Sequence, residues 1–235
     1  MSYNITMHKG ELSTIGKKSI LADIILGGQD GLVNVLGVIL GVAAATSNHK
    51  IIIAAGMAAT FAESISMAAV ALTSKMADRD HYYSELAREK REIKEIPKME
   101  EAEIREIYES KGFSGKMLDE IVAHIISNNE QWLKIMMNEE LQLKEIKNKD
   151  IYIESSIVGF SALVGSFIPL TSFFLMPIKP AVICSLIISS FVLFFIGIYK
   201  AKTTVGNPFK TGIQMVLIGM GAALAGYYIG HFFGQ

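Results

Sequence analysis

The sequence predicts an all-α integral membrane protein with five transmembrane helices and a helical domain inserted between the second and the third. Three observations predict it. The chain is strongly apolar, with 51% hydrophobic residues and a mean hydropathy of +0.37. Its apolar residues are gathered into five blocks, 19–46, 51–74, 151–170, 176–199 and 208–233, each reaching the approximately 20 residues that a helix needs to cross a bilayer. A globular helix averages only about 11–12. Finally, residues 78–150 hold thirteen of the 22 Lys and Arg and eighteen of the 23 Asp and Glu, so the charge is confined to one soluble segment. The expected division is an N-terminal segment 1–18, spans one and two in 19–77, the inserted domain 78–150, and spans three to five in 151–235.

The overall net charge of −1 conceals the five-charge acidic excess of the inserted segment. That excess argues against a nucleic-acid partner and for cations. Lys and Arg accumulate in short cytoplasmic loops. Lys9, Lys17 and Lys18 precede the first span and Lys200, Lys202 and Lys210 lie between the fourth and fifth, against Lys50 and Lys179 in the opposite loops. The N-terminus and residues 78–150 are therefore expected in the cytoplasm. The lone cysteine, Cys184, falls inside the fourth span and reads as a small packing residue that allows no intramolecular disulfide. Asp23 and Asp30 within the first apolar run, and the length of that run, argue against a cleavable signal peptide.

Two carboxylates sit near the middle of apolar runs: Asp30 in the first span and Glu63 in the second. At mid-bilayer such a group costs roughly 2.5–3.5 kcal/mol, and its usual use is an ion or proton pathway. If spans one and two form a hairpin turning near residues 46–50, the depths of Asp30 and Glu63 differ by only about 4–5 Å at 1.5 Å per residue, so they could face one another. Met67 is one turn beyond Glu63, and Thr60 lies three residues before it on nearly the same stripe. Ser64 and Ser66 are expected to bond back to their own helix carbonyls. The glycines of Gly27-Gly28-Gln29-Asp30-Gly31 permit either close helix approach or local unwinding, and Gly37/Gly41 and Gly226/Gly230 form small-xxx-small pairs.

Beyond Met76 the second span should continue as a charged helix until Pro97 interrupts it. Glu89 and Glu92 are three apart on it, and Glu100 and Glu103 repeat the spacing on a helix that should end near Gly112. A third polar helix is expected over 115–128. A fourth, over 130–147, carries Met136, Met137 and Glu140. Singly, such Glu pairs are ordinary solvated helix faces. Together, carboxylates from neighbouring helices build divalent metal sites, and adjacent thioethers favour a transition metal such as Fe²⁺ over Mg²⁺ or Ca²⁺. His81 and His124 form no E-x-x-H pair with these glutamates, which weighs against a carboxylate-type iron oxidase.

The segments DG at Asp30-Gly31, SISM ending at Met67, DHY at Asp80, REKREI from Arg88, EIPKMEEAEI and QWLKIMMNEELQL make the chain resemble the vacuolar iron transporter family over nearly its whole length. The resemblance implies a homodimer of five-span protomers that exports ferrous iron, and other divalent metals such as manganese, from the cytosol in exchange for protons. It is not an enzyme on this reading and has no prosthetic group. Fe²⁺, with Mn²⁺, Co²⁺ and Zn²⁺ able to share such ligands, is substrate. The resemblance carries over Asp30 and Met67 as pathway residues, and Glu89, Glu92, Glu100, Glu103, Met136, Met137 and Glu140 as metal ligands of the cytoplasmic domain. The second-span carboxylate of plant-type members would fall at Ala59, whereas this chain has Glu63 a helical turn further on, and Glu63 is expected to take that role. The membrane would be the cell membrane in a prokaryote, and the vacuolar or another organelle membrane in a eukaryote. The competing readings are a metal-sensing scaffold without transport and a membrane-anchored oxidase.

Overall fold

The computed structural model describes residues 9–203 and 206–234, with side chains from Ile20 onward. Residues 1–8, and the side chains of Lys9, Lys17 and Lys18 on which part of the orientation argument rests, lie outside the described residues. The described chain is helical: α1 (Lys9–Ala45), α2 (His49–Glu95), α3 (Pro97–Ser110), α4 (Gly115–Ile126), α5 (Asn129–Ile135), a π-helical turn (Met136–Glu140), α6 (Asn148–Leu175), α7 (Ile178–Thr203) and α8 (Pro208–Phe233). Five of these, α1, α2, α6, α7 and α8, are long and apolar enough to cross a membrane. The chain divides into two compact units, residues 1–72 with 152–235, and residues 73–151.

In the first unit α1 packs against both α6 and α8, and glycine sets how closely these neighbours approach. On one side, a Cβ built on Gly31 would overlap the Ala162 carbonyl, and one on Gly165 the Gly28 carbonyl, so α6 lies backbone to backbone against α1. On the other side, Gly226 abuts the Gly37 carbonyl and Gly230 that of Gly41, seating α8 in the same manner. Such contacts replace the hydrophobic drive that lipid cannot supply between apolar helices. Helix α1 runs unbroken through Gly27–Gly31, which decides for close approach and against local unwinding. Between the seams, Val35, Ile39, Ile52, Leu170, Phe173 and Ala181 form one buried cluster, and Leu32, Leu193 and Met215 another.

The helix ends follow their sequence signals. Asn207 accepts from the Phe209 and Lys210 amides, and Pro208 occupies the first turn of α8. Helix α6 runs through Pro169 to Leu175, further than the apolar block 151–170 suggests. Pro177 has no N–H for the Phe173 carbonyl four residues earlier, and His49 Nε2 hydrogen-bonds that oxygen instead, at 2.5 Å.

The second unit has its own core, with Ile93 of α2, Ile104 of α3, Leu118, Val122 and Ile125 of α4, Trp132 of α5 and Met136 of the π turn. Helix α2 does continue to Glu95, and Pro97 starts α3 after a single non-helical residue. The expected single helix over 130–147 is corrected. Helix α5, capped by Asn128, gives way to the π turn at Met136, and 141–147 is not helical. There the Leu141 amide donates to Met136, five residues back, and Gln142 at φ 53° ends the helix in the left-handed region.

Candidate functional site

The membrane unit brings Asp30 and Glu63 together. Helices α1 and α2 pack where Gly56 meets Ile39, and two turns or more along both helices Asp30 and Glu63 approach each other. Glu63 lies close enough to both Asp30 and Asn34 to interact with them electrostatically. The Asn34 amide in turn donates to Asp30 Oδ2 at 3.2 Å. Asn34 had no place in the sequence reading, although an amide one turn after an intramembrane carboxylate is a signal that could have been used. Asp30, Glu63 and Met67 are half-buried and Asn34 is exposed, so the group opens toward the outside of this single chain.

Two neighbours are occupied elsewhere. The Thr60 hydroxyl is buried and donates to the Gly56 carbonyl at 2.8 Å. The Ser64 hydroxyl donates across to Gly159 of α6 at 2.8 Å, not back into its own helix as expected, because Gly159 lets α6 come within reach. The chemical content is therefore two acids and an amide at one depth, with a thioether one turn further along α2.

In the second unit five predicted ligands gather electrostatically. Glu89 and Glu100 are 1% and 2% exposed, Glu92 and Glu103 half-buried and Glu140 exposed. Burial, then repulsion from Glu103, Glu89, Glu92 and Glu140, pushes Glu100 up to about 7. Glu140 is likewise pushed up to about 7, by partial burial and by Glu103 and Glu89, with Arg88 opposing. Glu103 is raised by burial and by Glu89 and Glu92. Met136 and Met137 are 0% and 2% exposed, and Met136 is packed into the apolar core. Among the described residues no three His, Cys, Asp or Glu side chains converge on one coordination centre.

The sign of the resulting pH dependence follows from linkage. A carboxyl held above its unfolded value binds more protons in the folded state, so it favours folding at low pH and withdraws that support as pH rises toward 7. The expected result is that the melting temperature of this unit falls between pH 5.5 and 7.5 without divalent metal. Added Mn²⁺, which favours the ionised carboxylates, should reduce or reverse the fall. Calorimetric scans of the whole protein with Mn²⁺ or a chelator check both signs.

The model of the VIT family matches residues 21–231, which include both acidic groups. This chain belongs to the VIT family. It is 31% identical over 209 residues to "Vacuolar iron transporter 1" of Tulipa gesneriana, covering 88% of this chain and 85% of that protein. The protein of the same name from Arabidopsis thaliana is 31% identical, covering 88% and 84% respectively. The "Vacuolar iron transporter" of Plasmodium falciparum is 30% identical over 97% of this chain and 86% of its own length. The packing distinguishes the position where the resemblance would put a second-span carboxylate, Ala59, from Glu63. Ala59 lies against the apolar cluster of Val35, Ile39, Ile52, Leu170 and Phe173, whereas Glu63 reaches Asp30 and Asn34.

Proposed function

We propose that this multi-pass membrane protein exports divalent transition metal from the cytosol in exchange for protons, with Fe²⁺ the principal substrate and Mn²⁺, Co²⁺ and Zn²⁺ able to share the ligands. Membership of the VIT family and the names of its relatives support a metal transporter of the membrane. The observation that carries the finer reading is the Asp30, Asn34 and Glu63 group between apolar helices. Two carboxylates at one depth can hold a divalent cation when ionised and return protons when it leaves. Met67 adds the soft ligand that selects transition metals. The acidic unit, with Glu89, Glu92, Glu100, Glu103, Glu140 and the Met136 and Met137 thioethers, takes up metal on the cytoplasmic side, where the lysine distribution also puts the N-terminus. If the relatives' location carries over, the membrane is vacuolar.

A second copy completes the pathway on this reading, since a polar group with an exposed amide is costly against lipid. Cysteine placed at Asn34 should therefore cross-link two copies in membranes. Failure at this position and at its neighbours on α1 would remove α1 from the interface.

The transport reading is tested by metal flux into protein-loaded vesicles under an imposed pH gradient. Uptake of Fe²⁺ driven by the gradient, with counterflow of protons, is expected. Metal binding without flux would leave a sensing scaffold.

A further inference from the structure

Arg88 lies among the carboxylates proposed to take metal. Its Nη2 is 3.0 Å from Glu85 Oε2 and 3.0 Å from Glu89 Oε1, and its Nε is 3.4 Å from Glu92 Oε2. The pairs with Glu85 and Glu92, three and four residues away, are ordinary neighbours on one helix face. The pair with Glu89 is different, because adjacent residues on a helix do not face one another. To make it the guanidinium turns back toward a carboxylate that is 1% exposed.

One oxygen of Glu89 takes this contact, while its Oε2 is buried with no hydrogen-bond partner among the described residues, and so is Oε2 of Glu100, whose side chain is 2% exposed. An unpartnered buried carboxylate oxygen is costly, so the cluster can accept more positive charge than Arg88 supplies. Glu85, the third partner, is not among the proposed ligands. It can keep the guanidinium if Glu89 and Glu92 turn to another cation.

We propose that Arg88 is an internal competitor for the acidic site, displaced from Glu89 and Glu92 by a divalent ion and retained by Glu85, so that it sets both the affinity and the valence selectivity of metal uptake. This rests on the metal-binding reading of the cluster. A guanidinium is charged at every physiological pH and offers a planar fork of donors matched to carboxylates. A potassium ion brings the same charge without those donors and does not displace it. A divalent ion brings twice the charge.

The test titrates Co²⁺ into the full-length protein by calorimetry, with and without potassium chloride, for wild type, Arg88→Gln, Arg88→Lys and Glu89→Gln/Glu100→Gln. Arg88→Gln should tighten Co²⁺ binding about tenfold or more, the scale of one unit charge within ~4 Å at intermediate dielectric. Its binding should also become more sensitive to potassium than that of wild type, an effect that a merely structural arginine would not produce. Arg88→Lys, a point charge without the fork, should lie between the two. Wild-type binding that Arg88→Gln leaves unchanged or weakens, with circular dichroism showing the variant folded, overturns the proposal. Should that variant not fold, equal or weaker binding by Arg88→Lys overturns it. Wild-type affinity unaffected by the Glu89/Glu100 double substitution removes the metal reading itself, and the role of Arg88 with it.

Discussion

Asp30→Ala should lower metal flux into vesicles about 100-fold or more, and Glu63→Gln should lower it while removing its dependence on the pH gradient. Removing one charged partner from a desolvated group costs about 3–5 kcal/mol, and each 1.4 kcal/mol is a factor of ten. The two substitutions test different things. Asp30→Ala deletes a ligand together with the acceptor of the Asn34 amide. Glu63→Gln retains shape and hydrogen-bonding capacity and removes only the titratable charge. If Glu63→Gln transports with its pH dependence intact, proton coupling through Glu63 is wrong. Asn34→Ala should have a smaller effect, because the amide orients Asp30 without supplying charge. Ala59→Glu, which restores a carboxylate at the position expected from plant-type relatives, should destabilise the protein without adding flux, since Ala59 packs on an apolar cluster.

The second large effect is on folding. Gly230→Val should abolish the α1/α8 seam, because a Cβ on Gly230 would meet the carbonyl, C and Cα of Gly41 inside van der Waals contact. These are backbone atoms, so no side chain can rotate away, and one helix must move. Ordinary overpacking costs about 1–3 kcal/mol, and this case lies at or above the upper end. For a chain of this size it corresponds to a loss of about 10 °C in the melting temperature of the detergent-solubilised protein. Gly221→Ala is the internal control. It lies on the same helix, a Cβ there meets nothing within 4 Å, and alanine is the better helix former, so its melting temperature should be unchanged or slightly higher. Equal melting temperatures for Gly230→Val and wild type would mean that α8 does not depend on this seam.

The membrane helices were legible because periodicity is not needed to find them. A run of about 20 apolar residues is sufficient, and only the ends moved, as at Pro169, where α6 continues to Leu175. The second unit was legible helix by helix from Pro97 and Gly112 until the π turn. An i→i+5 turn has no composition of its own, so Met136–Glu140 read as ordinary helix. The acidic pairs were visible as spacings, but the spacing could not show which glutamates are buried or that Arg88 folds back onto Glu89.

From sequence alone came the five spans, the acidic insertion and the carboxylates at Asp30 and Glu63, because each depends on composition along the chain and on energies that one residue carries by itself. Only the tertiary structure decided that Gly27–Gly31 packs without unwinding, that Ser64 bonds to α6, that Asn34 joins the two acids, and that Glu63 and not Ala59 faces Asp30. These outcomes depend on which faces of different helices meet. That is set by backbone contacts at glycines distant in the chain, and no local pattern around a single residue records it.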